Sequence, residues 1–313
     1  MLLARLQTAL LLACFVGCAV QAPAQMHSQE PTVNLGETSF LDARGGPGFM
    51  YEEIGDGGHS DIVADGTGQA TPGASASNSI SGLSHLVWQS KLHLLKASYA
   101  VEALDATVHV NAGAKGSAGG WGDLTVSPLI LQWNRFKAGN TQIDQRFALD
   151  FDLPTGEYRR DTGISLSGHA VTVHPYYAIT VQAWKHWETS WRVHYLWVAA
   201  NHSPPLATGV RSTQAGQAVH FNATIGYRLP HGFWVGANGY FLDQVSSPKM
   251  NGAALVNSPE RVGAIGPGVL WDRGRYALYA NGYHEVGAEN RPEGNKLVLR
   301  VQWVLGKPVG AAQ

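Results

Sequence analysis

Asp123 stands in a sequence context where a carboxylate can do chemistry. It lies in the stretch GGWGDLTVSPLILQW, residues 119–133, where three glycines and a tryptophan precede it and an apolar run follows. Such a carboxylate can belong to a catalytic site. Glycines also carry a chain through loops, where an aspartate accepts hydrogen bonds from the backbone. The sequence favours the loop role and leaves a ligand contact as the alternative.

Catalysis by a serine nucleophile has little support in the sequence. The motif Gly-x-Ser-x-Gly, which places a nucleophilic serine on a sharp turn, is absent. The nearest stretch, GISLSG at 163–168, has a different spacing. We therefore predict that the protein is not an enzyme and keep an acyl-ester hydrolase as a third alternative, because serines and histidines are plentiful.

Four histidines are candidate metal ligands, because imidazole nitrogens bind transition metals. His169 and His174 are five residues apart and would face opposite sides of one strand, whereas His194 and His220 belong to neighbouring predicted strands and could approach each other. The sequence shows no cluster of closely spaced histidines and carboxylates, and no cysteine after residue 18. We predict polar lining roles for these histidines, no metal and no cofactor.

The charge balance and the composition limit the classes of partner. The 313 residues contain 22 lysines and arginines and 23 aspartates and glutamates, so the formal net charge is -1. Such a chain has no large field to attract nucleic acid, and we predict no nucleic-acid partner. Only 14% of the residues are charged, against about 25% in an ordinary soluble domain. Something other than water is expected to cover part of the surface.

The first 24 residues have the pattern of a secretory signal peptide. One arginine precedes an apolar stretch, and Ala22-Pro23-Ala24 matches the small-x-small rule for cleavage. The alternative is a lipid-modified Cys18, for which Phe15 fits poorly. Beyond this segment no apolar run approaches the roughly 18 to 20 residues of a membrane-spanning helix.

Apolar and polar residues alternate through much of the remaining chain. In TQIDQRFALDFDL, residues 141–153, Phe147, Leu149 and Phe151 alternate with Arg146 and Asp150. Because successive side chains of a strand point to opposite faces, this segment has one apolar and one charged face. The same pattern returns at 168–182, 186–197, 218–227 and 296–303.

Counting such runs predicts twelve strands. They lie near 46–54, 83–92, 96–110, 121–134, 142–153, 168–182, 187–200, 214–228, 232–244, 260–272, 275–286 and 296–305. Long connections, beginning with a mobile glycine- and serine-rich loop at 55–82, alternate with tight turns. An even strand number with long loops at one end and short turns at the other is typical of an outer-membrane barrel with periplasmic turns.

A secreted β-sandwich is the competing architecture, because its strands also alternate. Strands of ten or more residues suit a tilted membrane span better than a sandwich. Tryptophans near the strand ends also suit the aromatic girdle of a membrane barrel. These tryptophans are Trp88, Trp133, Trp187, Trp197, Trp234, Trp271 and Trp303.

The polar faces of the predicted strands point into the barrel. The lumen-lining candidates are Asp144, Arg146, Asp150, Asp152, His174, Tyr176, Glu188, Arg192, His194, His220 and Arg300. Buried charges need partners, so these residues either form a paired network that fills a narrow lumen or line a polar path. The sequence leaves both possibilities open.

Several segments resemble, in the same order, the family of phenol meta-pathway outer-membrane proteins, a set of predicted β-barrels often called transporters. They are NLGETSFLDARGGPGF, WGDLTVSPLILQW, FDLPTGEY, WETSW, GFWVGANGYF and RVGAIGPGVLW. The resemblance covers nearly all of the chain after the signal peptide. One departure is the end of the sequence, where VLGKPVGAAQ follows Trp303, whereas outer-membrane barrels commonly end on an aromatic residue.

Pattern and resemblance together predict an all-β, antiparallel transmembrane β-barrel of about twelve strands. We expect a monomer in the outer membrane of a Gram-negative bacterium, surrounded by lipid and folded by the barrel-assembly machinery. The resemblance implies passive uptake of small aromatic or otherwise hydrophobic molecules, and a closed structural or envelope-interaction barrel is the alternative. The predicted signal peptide, periplasmic N-terminal segment, barrel and tail span residues 1–24, 25–45, 46–305 and 306–313.

Overall fold

A computed structural model describes residues 33–113, 116–161 and 164–305. The predicted signal peptide and the predicted tail at 306–313 lie outside these residues. The described helices are two single 3₁₀ turns, Leu206–Thr208 and Pro230–Gly232. None of the helices in the described ranges is long and apolar enough to cross a membrane.

Strands make up most of the described chain. In order they are β1 (Gly48–Val63), β2 (Ser77–Leu94), β3 (Ala97–Asn111), β4 (Ser117–Trp121), β5 (Leu124–Ala138), β6 (Thr141–Leu153), β7 (Thr172–Ala183), β8 (Trp187–Val198), β9 (Thr213–Gln214), β10 (Ala218–Arg228), β11 (Phe233–Gln244), β12 (Lys249–Met250), β13 (Ala253–Ala254), β14 (Arg261–Asp272), β15 (Tyr276–Glu289) and β16 (Pro292–Val304). The short strands β9, β12 and β13 form a separate small sheet.

The other thirteen strands form one closed antiparallel sheet. Apart from β4, neighbours in the sheet follow one another in sequence order, and β1 pairs with both β2 and β16, which closes the ring. Strands β4 and β5 pair with successive parts of β3 and together occupy one position in the wall, so the barrel has twelve strands. Closure pairs the strands' edges within the sheet, as the hydrocarbon of a membrane requires.

The predicted fold is confirmed, with one clear error in the strand boundaries. The predicted loop at 55–82 is wrong, because β1 continues to Val63 and β2 begins at Ser77. Their pairing runs without interruption from Gly48 opposite Gln89 to Ser60 opposite Ser77. Glycines and serines in this region hide the alternation but do not prevent backbone pairing.

The outer surface of the barrel is apolar. On β8 the side chains of Trp187, Trp191 and Trp197 are 40–45% exposed, whereas Glu188 and Arg192 on the opposite face are buried. An apolar outer face on a closed sheet is the surface that lipid covers in membrane barrels. The β-sandwich alternative is wrong, because the main strands form one closed sheet instead of two packed sheets.

The predicted periplasmic location of residues 25–45 needs correction. Residues 33–45, the described part of this range, lie inside the barrel, and we call them the lumen segment. Within it, the side chains of Phe40 and Ala43 are fully buried and Leu35 is 5% exposed. The segment contains apolar residues that gain by leaving water, and the barrel wall supplies partners for its polar groups.

Candidate functional site in the barrel lumen

Side chains of the barrel wall hold the backbone of the lumen segment. The amide of Gly36 donates to Oδ1 of Asn222 at 2.8 Å, and its carbonyl accepts from the Tyr283 hydroxyl at 2.9 Å. The amide of Ala43 donates to Oγ1 of Thr180 at 3.0 Å. These contacts replace the hydrogen bonds that a strand ladder would supply, so an irregular segment can be buried in the lumen.

Phe40 is the apolar anchor of the lumen segment. Its ring packs in a buried cluster with Trp234, Leu270 and Tyr279. Gly226 on β10 makes room for it, because a Cβ atom at this position would lie 2.9 Å from the ring. The absence of a side chain at Gly226 thus shapes the pocket that receives Phe40.

Ion pairs also join the lumen segment to the wall. Arg44 Nη2 lies 2.7 Å from Oδ2 of Asp272, and Lys296 Nζ lies 3.2 Å from Oε1 of Glu37. A third pair joins Arg192 to Asp42 through two hydrogen bonds of 2.8 and 2.7 Å. Each of these pairs has one member on the segment and one on the wall, so charges of the segment are neutralised by charges of the wall.

The structure places all eleven lumen-lining candidates on the inner side of the barrel. All eleven residues are at most 9% exposed. These residues are Asp144, Arg146, Asp150, Asp152, His174, Tyr176, Glu188, Arg192, His194, His220 and Arg300. They divide into a set with charged or hydrogen-bonded partners and a set of stacked histidines.

Several of the candidates take part in a paired network. Asp144 binds the guanidinium of Arg135, with Nη2 and Oδ2 2.8 Å apart. Arg146 donates to Oε1 of Gln132 at 2.9 Å. Glu188 accepts a bond from the amide of Leu41 at 3.4 Å. These contacts tie the candidates to the wall and to the segment.

Arg300 and Arg192 each lie over an aromatic ring. The guanidinium carbon of Arg300 is 3.6 Å from the centroid of Tyr279, and Nη1 lies 3.7 Å from Oε1 of Glu52. The guanidinium carbon of Arg192 is 4.2 Å from the centroid of Tyr176. An aromatic face attracts a guanidinium that has left water, so these rings stabilise the buried charges.

The histidine candidates come together at the junction of β7, β8 and β10. The rings of His194 and His220 stack with centroids 4.3 Å apart, and those of His174 and His194 are 6.0 Å apart. Nε2 of His174 lies 3.1 Å from Oδ1 of Asp152. The contact between His194 and His220 was expected, because they lie on neighbouring strands. The contact between His174 and His194 was not predicted from their spacing in the sequence.

The sequence analysis missed a buried triad on the first three strands. His85 places Nδ1 2.9 Å from Oε2 of Glu52 and Nε2 3.1 Å from Oε2 of Glu102. All three side chains are buried. Glycine and serine interrupt the alternation of β1 and β2, so the sequence pattern did not indicate that these side chains face the lumen. The register that places Glu52 opposite His85 would have suggested their contact.

A cavity lies between the lumen segment and the wall. It measures about 100 Å³, and its lining comes from the segment and from strands β1 to β3, β5 to β8, β15 and β16. Charged residues of both signs line it, including Glu102, Asp150 and Arg192, together with the apolar side chains of Ile54 and Leu83. A water molecule needs about 10–15 Å³ by this measure, so the cavity has room for several waters.

Asp123 has the loop role that the sequence favoured. Its carboxylate accepts bonds from the amides of Gly156 at 2.9 Å and Gly168 at 3.3 Å. A Cβ atom on Gly156 would lie 2.5 Å from the backbone carbon of Gly122, so only glycine allows this approach. Asp123 therefore joins the break between β4 and β5 to the loop after β6.

A family model described as "Putative MetA-pathway of phenol degradation" matches residues 60–301, most of the chain. The chain belongs to this family. No curated protein matches the sequence. The apolar outer face and the closed sheet place this member of the phenol-degradation family in the bacterial outer membrane.

One solved structure shows the same fold, and others are more distantly similar. An outer membrane channel from Pseudomonas putida F1 is similar with a TM-score of 0.73 and 16% identity, covering 84% of this chain and 97% of that one. The β domain of the Bordetella autotransporter BrkA reaches a TM-score of 0.46 at 11% identity, covering 83% and 100%. Outer membrane phospholipase A from Escherichia coli reaches 0.43 at 13%, covering 81% and 92%. The TM-scores of the last two structures are too low to establish a shared fold.

Proposed function

We propose that this barrel carries small aromatic or otherwise hydrophobic molecules passively across the outer membrane. The observation that carries the proposal is that the lumen segment, and not the wall, closes the lumen. Hydrogen bonds, ion pairs and the packing of Phe40 hold the lumen segment in place, and none of these three kinds of contact belongs to the strand pairing of the wall. Movement of residues 33–45 would therefore open a path.

The lining of the cavity supports the proposed class of solute. Ile54, Leu83 and Leu104 lie beside Glu102 and Arg192 in the same cavity. An aromatic ring can pack on the apolar side chains while a hydroxyl substituent bonds to a charged group. The family description, which names phenol degradation, agrees with such a solute.

A structural barrel with a closed lumen is the second candidate. Its support is the close filling of the lumen, where Phe40 and Ala43 are fully buried and the cavity measures only about 100 Å³. An acyl-ester hydrolase stays the third. Ester turnover by the purified, folded barrel would support the third, whereas transport measurements separate the first two.

A reversible crosslink tests whether the lumen segment must move. Nδ2 of Asn281 on β15 donates to Oγ of Ser39 at 3.1 Å, so the double variant Ser39→Cys, Asn281→Cys brings two thiols together. The sequence has no cysteine after residue 18, so no other thiol in the barrel competes. The oxidised protein should conduct no ions in planar bilayers, and reduction should restore the conductance of the wild type.

Uptake by whole cells tests the solute. Cells that carry the reduced double variant should take up a labelled monoaromatic compound faster than cells without the barrel, and oxidation should abolish the difference. Each single-cysteine variant is the control for the oxidant. Equal uptake in all these cells, with no conductance in either redox state, would support the closed structural barrel instead.

The single-chain closure also supports the expected monomer. Strands β1 and β16 pair with each other, so the wall closes within one chain and needs no second copy to complete it. Light scattering in detergent should give the mass of one chain. Dependence of assembly on the barrel-assembly machinery is an expectation that depletion of that machinery in cells would test.

A further inference from the structure

Three buried side chains on adjacent strands converge beside the central cavity. Asp150 on β6, His174 on β7 and His194 on β8 each offer one ligand atom, and these atoms lie within 4.8 Å of one another. The three residues are 5%, 6% and 2% exposed. All three also line the cavity. Two imidazoles and one carboxylate therefore surround a point that is accessible from the cavity.

Ring nitrogens of this cluster have no hydrogen-bond partner within the described part of the chain. They are both nitrogens of His194 and Nδ1 of His174. The ring of His194 instead contacts the ring of His220 at 4.3 Å and that of Tyr176 at 5.0 Å between centroids, and neither contact is a hydrogen bond of the nitrogens. Buried polar atoms without partners cost free energy, and a bound ion or molecule would remove that cost for these nitrogens.

Asp152 orients His174 in the way that carboxylates orient metal-binding histidines. Its Oδ1 lies 3.1 Å from Nε2 of His174. When Nε2 carries the hydrogen and donates it to Asp152, Nδ1 keeps its lone pair for a ligand. Carboxylates that bind the second nitrogen of a ligating histidine fix its tautomer and raise its basicity.

We propose that Asp150, His174 and His194 bind a divalent first-row transition-metal ion. Imidazole and carboxylate ligands suit ions such as Zn²⁺ and Co²⁺. Tetrahedral coordination places ligand atoms about 3.3 Å apart, so the three side chains close on the ion by rotating. Because all three side chains line the cavity, a further ligand could reach the ion from there.

The nearby charges favour a cation at this site. Asp150 and Asp152 supply two carboxylates, and the positive charge of Arg192 is already paired with Asp42. The sequence predicted no metal, because Asp150, His174 and His194 are 20 or more residues apart and meet only through the pairing of β6 with β7 and of β7 with β8. An ordered water is the competing occupant.

Cobalt substitution distinguishes a metal site from a water site. The full barrel, refolded in detergent and treated with a chelator, is titrated with Co²⁺ and followed by its visible d–d absorption. We expect one Co²⁺ per chain with the bands of a low-coordinate site, and displacement by Zn²⁺. His194→Gln should abolish the bands, and Asp152→Asn should weaken binding about 10–100-fold.

Two further variants complete the test. His284→Ala removes an exposed histidine on β15 and should bind Co²⁺ like the wild type, which controls for surface binding. If His194→Gln fails to fold by heat-modified gel migration, Asp150→Asn replaces it, because an amide keeps the size of the carboxylate. The proposal is overturned if folded wild-type protein binds no stoichiometric Co²⁺, or if the bands persist in the folded variant.

Discussion

Arg192 on β8 holds Asp42 of the lumen segment through two hydrogen bonds, 2.8 Å from Nε to Oδ2 and 2.7 Å from Nη2 to Oδ1. The guanidinium also lies over the ring of Tyr176. A bidentate pair of this kind is among the strongest polar contacts in proteins and fixes the direction of both groups. It sets the position of the segment along the wall.

Replacement of Asp42 by alanine should loosen the lumen segment. The change leaves Arg192 buried without its partner, which costs about 3–5 kcal/mol in comparable buried pairs. We expect a lower unfolding midpoint in denaturant and more frequent channel openings in planar bilayers. Asp243→Ala, which breaks a more exposed pair with Arg261, is the control and should alter neither. Unchanged stability and conductance in Asp42→Ala would show that the pair does not hold the segment.

Phe40→Ala should detach the segment from its apolar pocket. Removal of a fully buried phenylalanine typically costs about 3–5 kcal/mol. Gly226→Val should act in the same direction, because its side chain would enter the space of the Phe40 ring. Both variants should raise conductance, as measured in bilayers. Phe233→Ala, at a position 41% exposed on the outer face, should leave conductance unchanged; an increase there would point to a nonspecific effect.

The two faces of β6 should respond differently to charge. Leu149 lies on the outer face and Asp150 is buried in the lumen. An arginine on the lipid face costs about 2–4 kcal/mol at the bilayer midplane and less toward the interface, so Leu149→Arg should impair assembly. Asp150→Asn should assemble normally. Heat-modified gel migration measures both, and the reverse result would mean that the assigned facing is backwards.

Asp123→Ala should open the loop after β6 without disturbing the barrel. The amides of Gly156 and Gly168 would lose their acceptor. Gly156→Ala should have the same effect, because its methyl group would collide with the backbone of Gly122. Limited proteolysis should cut this loop faster in both variants, since cleavage follows local opening. Gly168→Ala has open space around its Cβ and should digest like the wild type; faster digestion there would weaken the explanation.

The period of two along the strands was sufficient to predict the wall. In β6, β8 and β10 the polar or apolar character of each residue indicates whether its side chain points into the lumen or outward, because alternation is a local property of extended backbone. The twelve wall positions and the burial of Asp150, Glu188 and His220 could therefore be read from neighbouring residues alone. The ends of β1 and β2 could not, because glycine and serine carry little facing signal and their pairing depends on the strand beside them.

The contents of the lumen were decided by tertiary structure. Asp42 meets Arg192 across 150 positions of sequence, and Ser39 meets Asn281 across 242. No periodicity relates such positions, and the lumen segment has no alternation that would predict its burial. The grouping of Asp150, His174 and His194 likewise depends on the register of three strands. Sequence patterning determines which way a side chain points, whereas the closure and register of the barrel determine which side chains it meets there.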